Sequence, residues 1–167
     1  DRGLLSSCDE LEKSISNEIE KNGILSQNIF LLGFSQGASV ALSMALVSQH
    51  KLGGIISLAG FLPYHKVLLR HEKENNKTTP ILMLHGEDDQ VVPRAVGEES
   101  YKGLRENDYQ VEFKVCGMAW FFGDETVDFF KEILEKKGIT RITSASSESR
   151  PITIEKINNA APFNRKV

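Results

Sequence analysis

The sequence predicts an α/β fold, a doubly wound and mostly parallel sheet with helices on both faces. Short continuous apolar runs at residues 28–32, 54–58 and 80–84 have the pattern of strands buried on both sides. They alternate with segments whose apolar residues recur at helical spacing. The first element is a helix with no strand before it, so the sheet is expected to lack its opening strands. That arrangement leaves a sheet edge and part of the core open, which invites association.

Taken in order, Leu4, Cys8, Leu11, Ile15 and Ile19 predict a helix from about Ser7 to Lys21, capped by Ser6 or Ser7 and ended by Asn22-Gly23. The strand at residues 28–32 runs into a Gly-rich turn and a small-residue helix from about Gln36 to Gln49, with His50 placed to cap its last carbonyls. The strand at 54–58 leads to the loop Gly60-Phe61-Leu62-Pro63 and a polar region from Tyr64 to Thr79. After the strand at 80–84 come a polar loop ending at Pro93 and a helix from about Arg94 to Glu106. Val111 to Val115 alternates with polar residues, as a strand nearer the sheet edge does. A last helix begins at Asp124, with Val127, Phe130, Ile133 and Leu134 on one face. Residues 1–137 thus read as a partial α/β domain, and the Ser-rich residues 138–167 as a loosely ordered or loosely docked tail.

Composition narrows the function classes. The 167 residues are 40% hydrophobic and carry a formal net charge of −3, with both signs interspersed. No basic block argues for nucleic acid. No apolar segment is long enough to span a bilayer. The chain opens Asp-Arg-Gly, without Met or a signal-peptide pattern, and reads like a piece of something longer. Cys8 and Cys116 have neither metal-ligand nor CxxC spacing, and are expected to be reduced, mostly buried thiols. No metal cluster, dinucleotide fingerprint or phosphate loop is present, so no cofactor is expected.

The chemistry concentrates in two turns. Gly33-Phe34-Ser35-Gln36-Gly37 follows a strand and opens a helix, the context that turns a GxSxG pattern into a nucleophile elbow. Ser35 is the expected nucleophile, raised clear of the sheet on a tight turn. The N–H of Gln36 is the expected oxyanion donor, assisted by the positive end of the helix. Gly33 and Gly37 are expected to admit close strand–helix packing. The second turn, His85-Gly86-Glu87-Asp88-Asp89-Gln90-Val91-Val92-Pro93, follows another buried strand. The acid of such a triad follows the nucleophile in chain order, and Asp88 and Asp89 are both candidates.

The chain resembles the acyl-protein thioesterase family, also called phospholipase/carboxylesterase, of the α/β-hydrolases. The resemblance rests on Gly33 to Gly37, Leu58-Ala59-Gly60-Phe61-Leu62-Pro63, His85-Gly86 through Asp89-Gln90-Val91-Val92-Pro93, and Gly117-Met118, in that order. It covers about Leu4 to Lys136. It implies an α/β-hydrolase fold, Ser35 as nucleophile and Asp89 as acid. It also implies cytoplasmic cleavage of long-chain acyl thioesters or lysophospholipid esters. The partners would be an acylated protein or lysophospholipid, with transient contact at a membrane surface. In the family a catalytic His follows Gly-Met by two residues, and here that position holds Trp120. Indole nitrogen only donates, so it cannot take the proton of Ser35. The family's opening strands, with the loop that supplies a second oxyanion donor, match no segment here. Loss of the base costs roughly a millionfold in turnover, about 8 kcal/mol of barrier. The alternative reading is a non-catalytic homologue that binds acyl chains or a protein partner.

The remaining candidates have plainer readings. His65 and His71 read as solvated loop residues, and His85 as a structural, hydrogen-bonded one. Phe61, Leu62, Tyr64, Leu68 and Leu69 suit either an acyl groove or core packing. Phe121, Phe122, Phe129 and Phe130 read as core, and Trp120 as a plug where the histidine would stand.

Overall fold

The computed structural model describes residues 2–63, 68–69 and 72–117, together with residues 128–129, 131–132, 135–136, 141–142 and 152–153. The chain divides into two compact units, Asp1–Gly123 and Asp124–Val167. In the first unit the order is α1 (Arg2–Asn22), a 3-10 turn (Ser26–Asn28), β1 (Phe30–Phe34), α2 (Gln36–Val47), β2 (Gly54–Leu58), β3 (Ile81–Gly86), α3 (Arg94–Glu106) and β4 (Val111–Cys116). The four strands form one parallel sheet in the order β1-β2-β3-β4. No helix among the described residues is long and apolar enough to cross a membrane.

Register sorts the side chains into two faces, because neighbouring residues of a strand point oppositely. Leu31, Ile55, Ile81 and Val111 lie side by side. They join Cys8 and Ile15 of α1, Leu42, Met44 and Leu46 of α2, and Leu104 of α3 in the core. On the other face Leu32, Ile56 and Leu82 align, as do Phe34, Leu58 and Leu84. The β2 and β3 members are buried, but Leu32 is 55% and Phe34 51% exposed. Burial on both faces therefore holds for β2 and β3 and fails for β1, which is an edge strand of the described sheet, as is β4.

Local chemistry moves several expected boundaries. α1 begins at Arg2, five residues before the expected Ser7. Ser7 does not cap it, because its Oγ donates within the helix to the Gly3 carbonyl at 3.0 Å. At the far end Gly23 takes φ +66° and the Ile24 N–H donates back to the Glu18 carbonyl, closing the helix. The 3-10 turn uses the start of the first apolar run, so β1 begins at Phe30. His50 does not cap α2. The Ser48 N–H satisfies the Met44 carbonyl, and the His50 ring turns to α1, with Nε2 3.2 Å from Ser16 Oγ and 3.7 Å from Glu12 Oε1. Leu62 and Leu68 belong to the core and Leu69 packs against it, so core packing describes them.

In the second unit, residues 128–129, 131–132 and 135–136 are helical, and Phe129 is half-buried. β5 (Arg141–Ile142) pairs antiparallel with β6 (Ile152–Thr153). Trp120, Phe121, Phe122, Phe130, Tyr64, His65, His71 and most of residues 138–167 lie outside the described residues.

Candidate active site

The elbow is built from backbone bonds that force one residue into an unfavourable conformation. Ser35 stands between the last residue of β1 and the first of α2, with φ 51° and ψ −117°. For a residue with a side chain this costs on the order of 1–3 kcal/mol. It is held there from both sides. The Ser35 N–H donates to the Leu58 carbonyl of β2 at 2.8 Å, and the Ser35 carbonyl accepts from the Ser39 N–H at 3.2 Å. Ser35 is half-buried and Gln36 exposed. Gln36 opens α2, so its N–H has no acceptor within the helix and lies at the positive end of the macrodipole.

The two glycines of the motif differ in what they do. A Cβ at Gly33 would sit 2.3 Å from the Gly37 carbonyl oxygen, so β1 and the first turn of α2 touch backbone to backbone. A Cβ at Gly37 would meet nothing within 4 Å. The packing role expected of both belongs to Gly33 alone, because the contact uses the carbonyl of Gly37 and leaves its Cα facing open space. Sequence reading missed a second crowded glycine. A Cβ at Gly60 would lie 2.4 Å from Ala38 Cβ and 2.5 Å from Ser57 Oγ, so the chain leaving β2 presses on the elbow helix. Ala59 just before it has φ 51°.

The second turn joins β3 to α3. Asp88 is exposed, whereas the Asp89 side chain is 4% exposed. Asp89 Oδ1 accepts the N–H groups of Val91 and Val92, each at 2.9 Å. Such a turn lets a carboxylate satisfy its own backbone. His85, the penultimate residue of β3, has a fully buried ring whose Nε2 is 2.8 Å from the Val92 carbonyl and 3.8 Å from Asp89 Oδ2. A carbonyl only accepts, so Nε2 carries the proton. A Cβ at Gly97 would lie 2.5 Å from Nδ1, and Phe113 stacks over the ring at 6.2 Å.

Ser35 and Asp89 both follow the C-terminal ends of parallel strands, the edge where α/β sheets bind ligands. With β2 between β1 and β3, those strands lie roughly 10 Å apart at two strand spacings. The structure brings Ser35 and Gln36 together and sets Asp89 two strands away, so a triad needs a third group to join serine and acid. His85 is committed to Val92. Among the described residues no three His, Cys, Asp or Glu side chains converge to hold a metal ion.

Comparison with known proteins identifies the family. The model of the phospholipase/carboxylesterase family matches residues 1–137. Acyl-protein thioesterase 1 of Saccharomyces cerevisiae is 38% identical over 121 residues, 70% of this chain and 52% of the yeast protein. Acyl-protein thioesterase 1 homolog 2 of Dictyostelium discoideum is 43% identical over 100 residues, 60% of this chain and 44% of that protein. The crystal structure of Arabidopsis thaliana SOBER1 superposes with a TM-score of 0.68 at 27% identity, covering 80% of this chain and 64% of that one. The chain spans about half the length of these thioesterase relatives. With an elbow serine, a parallel α/β sheet and a family model matched over residues 1–137, the chain belongs to the phospholipase/carboxylesterase family.

Proposed function

We propose that this chain carries a serine hydrolase site of acyl-protein thioesterase type, whose turnover is held back by Trp120. The observation that supports it most is the backbone of Ser35, fixed at φ 51° and ψ −117° on the rim of a helix N-terminus. In this reading Ser35 Oγ attacks the carbonyl of a long-chain acyl thioester or ester. The Gln36 N–H holds the oxyanion, the thiolate or alcohol leaves, and water releases the acyl group from Ser35. Asp89 stands to orient a histidine base; with Trp120 at that position the serine proton passes to water instead, which is why turnover is slow. The substrates are an acylated protein or a lysophospholipid, met in the cytoplasm or at a membrane surface.

Trp120 also motivates a second reading, a non-catalytic relative that binds acyl chains or a protein. Intact mass after exposure to a fluorophosphonate probe separates the two. Slow labelling that Ser35→Ala abolishes, and that Trp120→His accelerates by orders of magnitude, supports the hydrolase site. A folded chain that stays unlabelled with Trp120 and with His in its place sinks that reading and leaves binding.

A further inference from the structure

The geometry points to His85 as a positioning residue that fixes the Asp89 carboxylate through Val92. This rests on the reading of Asp89 as the acid. Val92 is tied at both ends of its backbone. Its N–H goes to Asp89 Oδ1 at 2.9 Å, and its carbonyl takes the proton of His85 Nε2 at 2.8 Å. The imidazole is itself boxed in, by the Gly97 backbone against Nδ1 and by Phe113 across its face. A rigid strand thus sets the imidazole, the imidazole sets the Val92 carbonyl, and the Val92 N–H sets the carboxylate. An acid that must orient a base tolerates only about 0.5 Å of error, and a side chain on a turn attains this only with such support. Asp89 Oδ2 takes no part in the two turn bonds, which both fall on Oδ1, and lies 3.8 Å from His85 Nε2.

The test compares His85→Leu with His85→Gln, whose amide keeps an N–H where Nε2 stood. Amide exchange at Val91 and Val92 is expected to rise about tenfold in the Leu variant, the loss of one hydrogen bond. It should stay near the parent rate in the Gln variant. The β2 amides of Ile56 and Leu58 serve as the control for global loosening. Gly97→Ala, which pushes on Nδ1 while keeping the ring, should reproduce the effect of the Leu variant if that variant does not fold. The 15N spectrum should show Nε2 protonated. In the presence of Trp120→His, His85→Leu should lower kcat by about a hundredfold with KM unchanged, and His85→Gln should restore it. An Nδ1–H tautomer overturns the inference. So does exchange at Val91 and Val92 that is unchanged, or that rises only in step with Ile56 and Leu58. Faster exchange at Val91 and Val92, with Ser35 inert in every variant, upholds the support of Asp89 and removes only the hydrolase reading.

Discussion

The turns that follow β1 and β3 leave the same edge of one parallel sheet, and they hold their polar side chains by opposite means. At Ser35 the backbone is strained and, among the described residues, the side chain makes no capping bond; position comes from two backbone hydrogen bonds and from Gly33 pressed on Gly37. At Asp89 the side chain itself is the fastener, accepting two amides over a buried imidazole. The contrast follows from the tasks proposed for them. An attacking hydroxyl must stay unencumbered, so the cost falls on φ and ψ. An orienting carboxylate must not move, so its own lone pairs are used to build the turn.

Substitutions that break one turn and spare the other should rank in order. Gly33→Ala comes first, because backbone atoms 2.3 Å from the new methyl cannot yield as a side chain would. A loss of about 3 kcal/mol or more in urea denaturation is expected. A loss below about 1 kcal/mol would mean that strand and helix are not locked together. Asp89→Ala should cost about 1–3 kcal/mol by leaving two turn amides without their acceptor. Neutral stability there would show that the second turn is not held by its carboxylate. At the elbow, Ser35→Gly should be about 1 kcal/mol more stable than Ser35→Ala, since glycine accepts positive φ without strain. Equal stabilities would remove strain from the account. Gly37→Ala is the smallest effect, within about 0.5 kcal/mol of the parent or stabilising, because its Cβ enters open space next to a helix start.

A pH titration sharpens the ranking by isolating α1 from both turns. Burial, with Asp9 and Glu12 adding repulsion, pushes the Cys8 thiol from 9.0 up to about 11. The unfolded chain releases this proton first. Its contribution is therefore intact below about pH 9 and is lost as pH rises towards about 11. Urea midpoints across that window should fall for the parent and less for Cys8→Ala, with the order of the turn variants unchanged. A Cys8→Ala profile that matches the parent would place the alkaline loss elsewhere.

Much of this was legible in the residues, and the gaps have physical causes. β2 and β3 fall where their apolar runs put them, because both are buried along their whole length, and α3 starts directly after Pro93. The exposure of Leu32 and Phe34 was not legible from the run itself. A strand's outer face depends on what lies over it, and the run reads the same in either case. Ser7 looked like a cap, yet the same hydroxyl bonds equally well inside a helix. The two candidate carboxylates are adjacent and alike in sequence; they differ through amides two and three residues onward. Nothing in the sequence joins His85 to Gly97, because that contact exists only once α3 has folded back on β3.

The end of α1 also sets how the protein ages. Asn22 is exposed, and the residue after it is a glycine with φ +66°, whose unhindered N–H can attack the Asn22 side-chain amide and expel ammonia. The amide that would leave is the one donating to Glu18 Oε2 at 2.8 Å. Hydrolysis of the resulting ring leaves a carboxylate where that donor was. A new negative charge then faces Glu18 at the negative pole of the helix, a change worth about 0.3–1 kcal/mol against α1. Stored protein should therefore gain one unit of negative charge at this junction, and the charge variant should be the first to loosen at its amino-terminal helix.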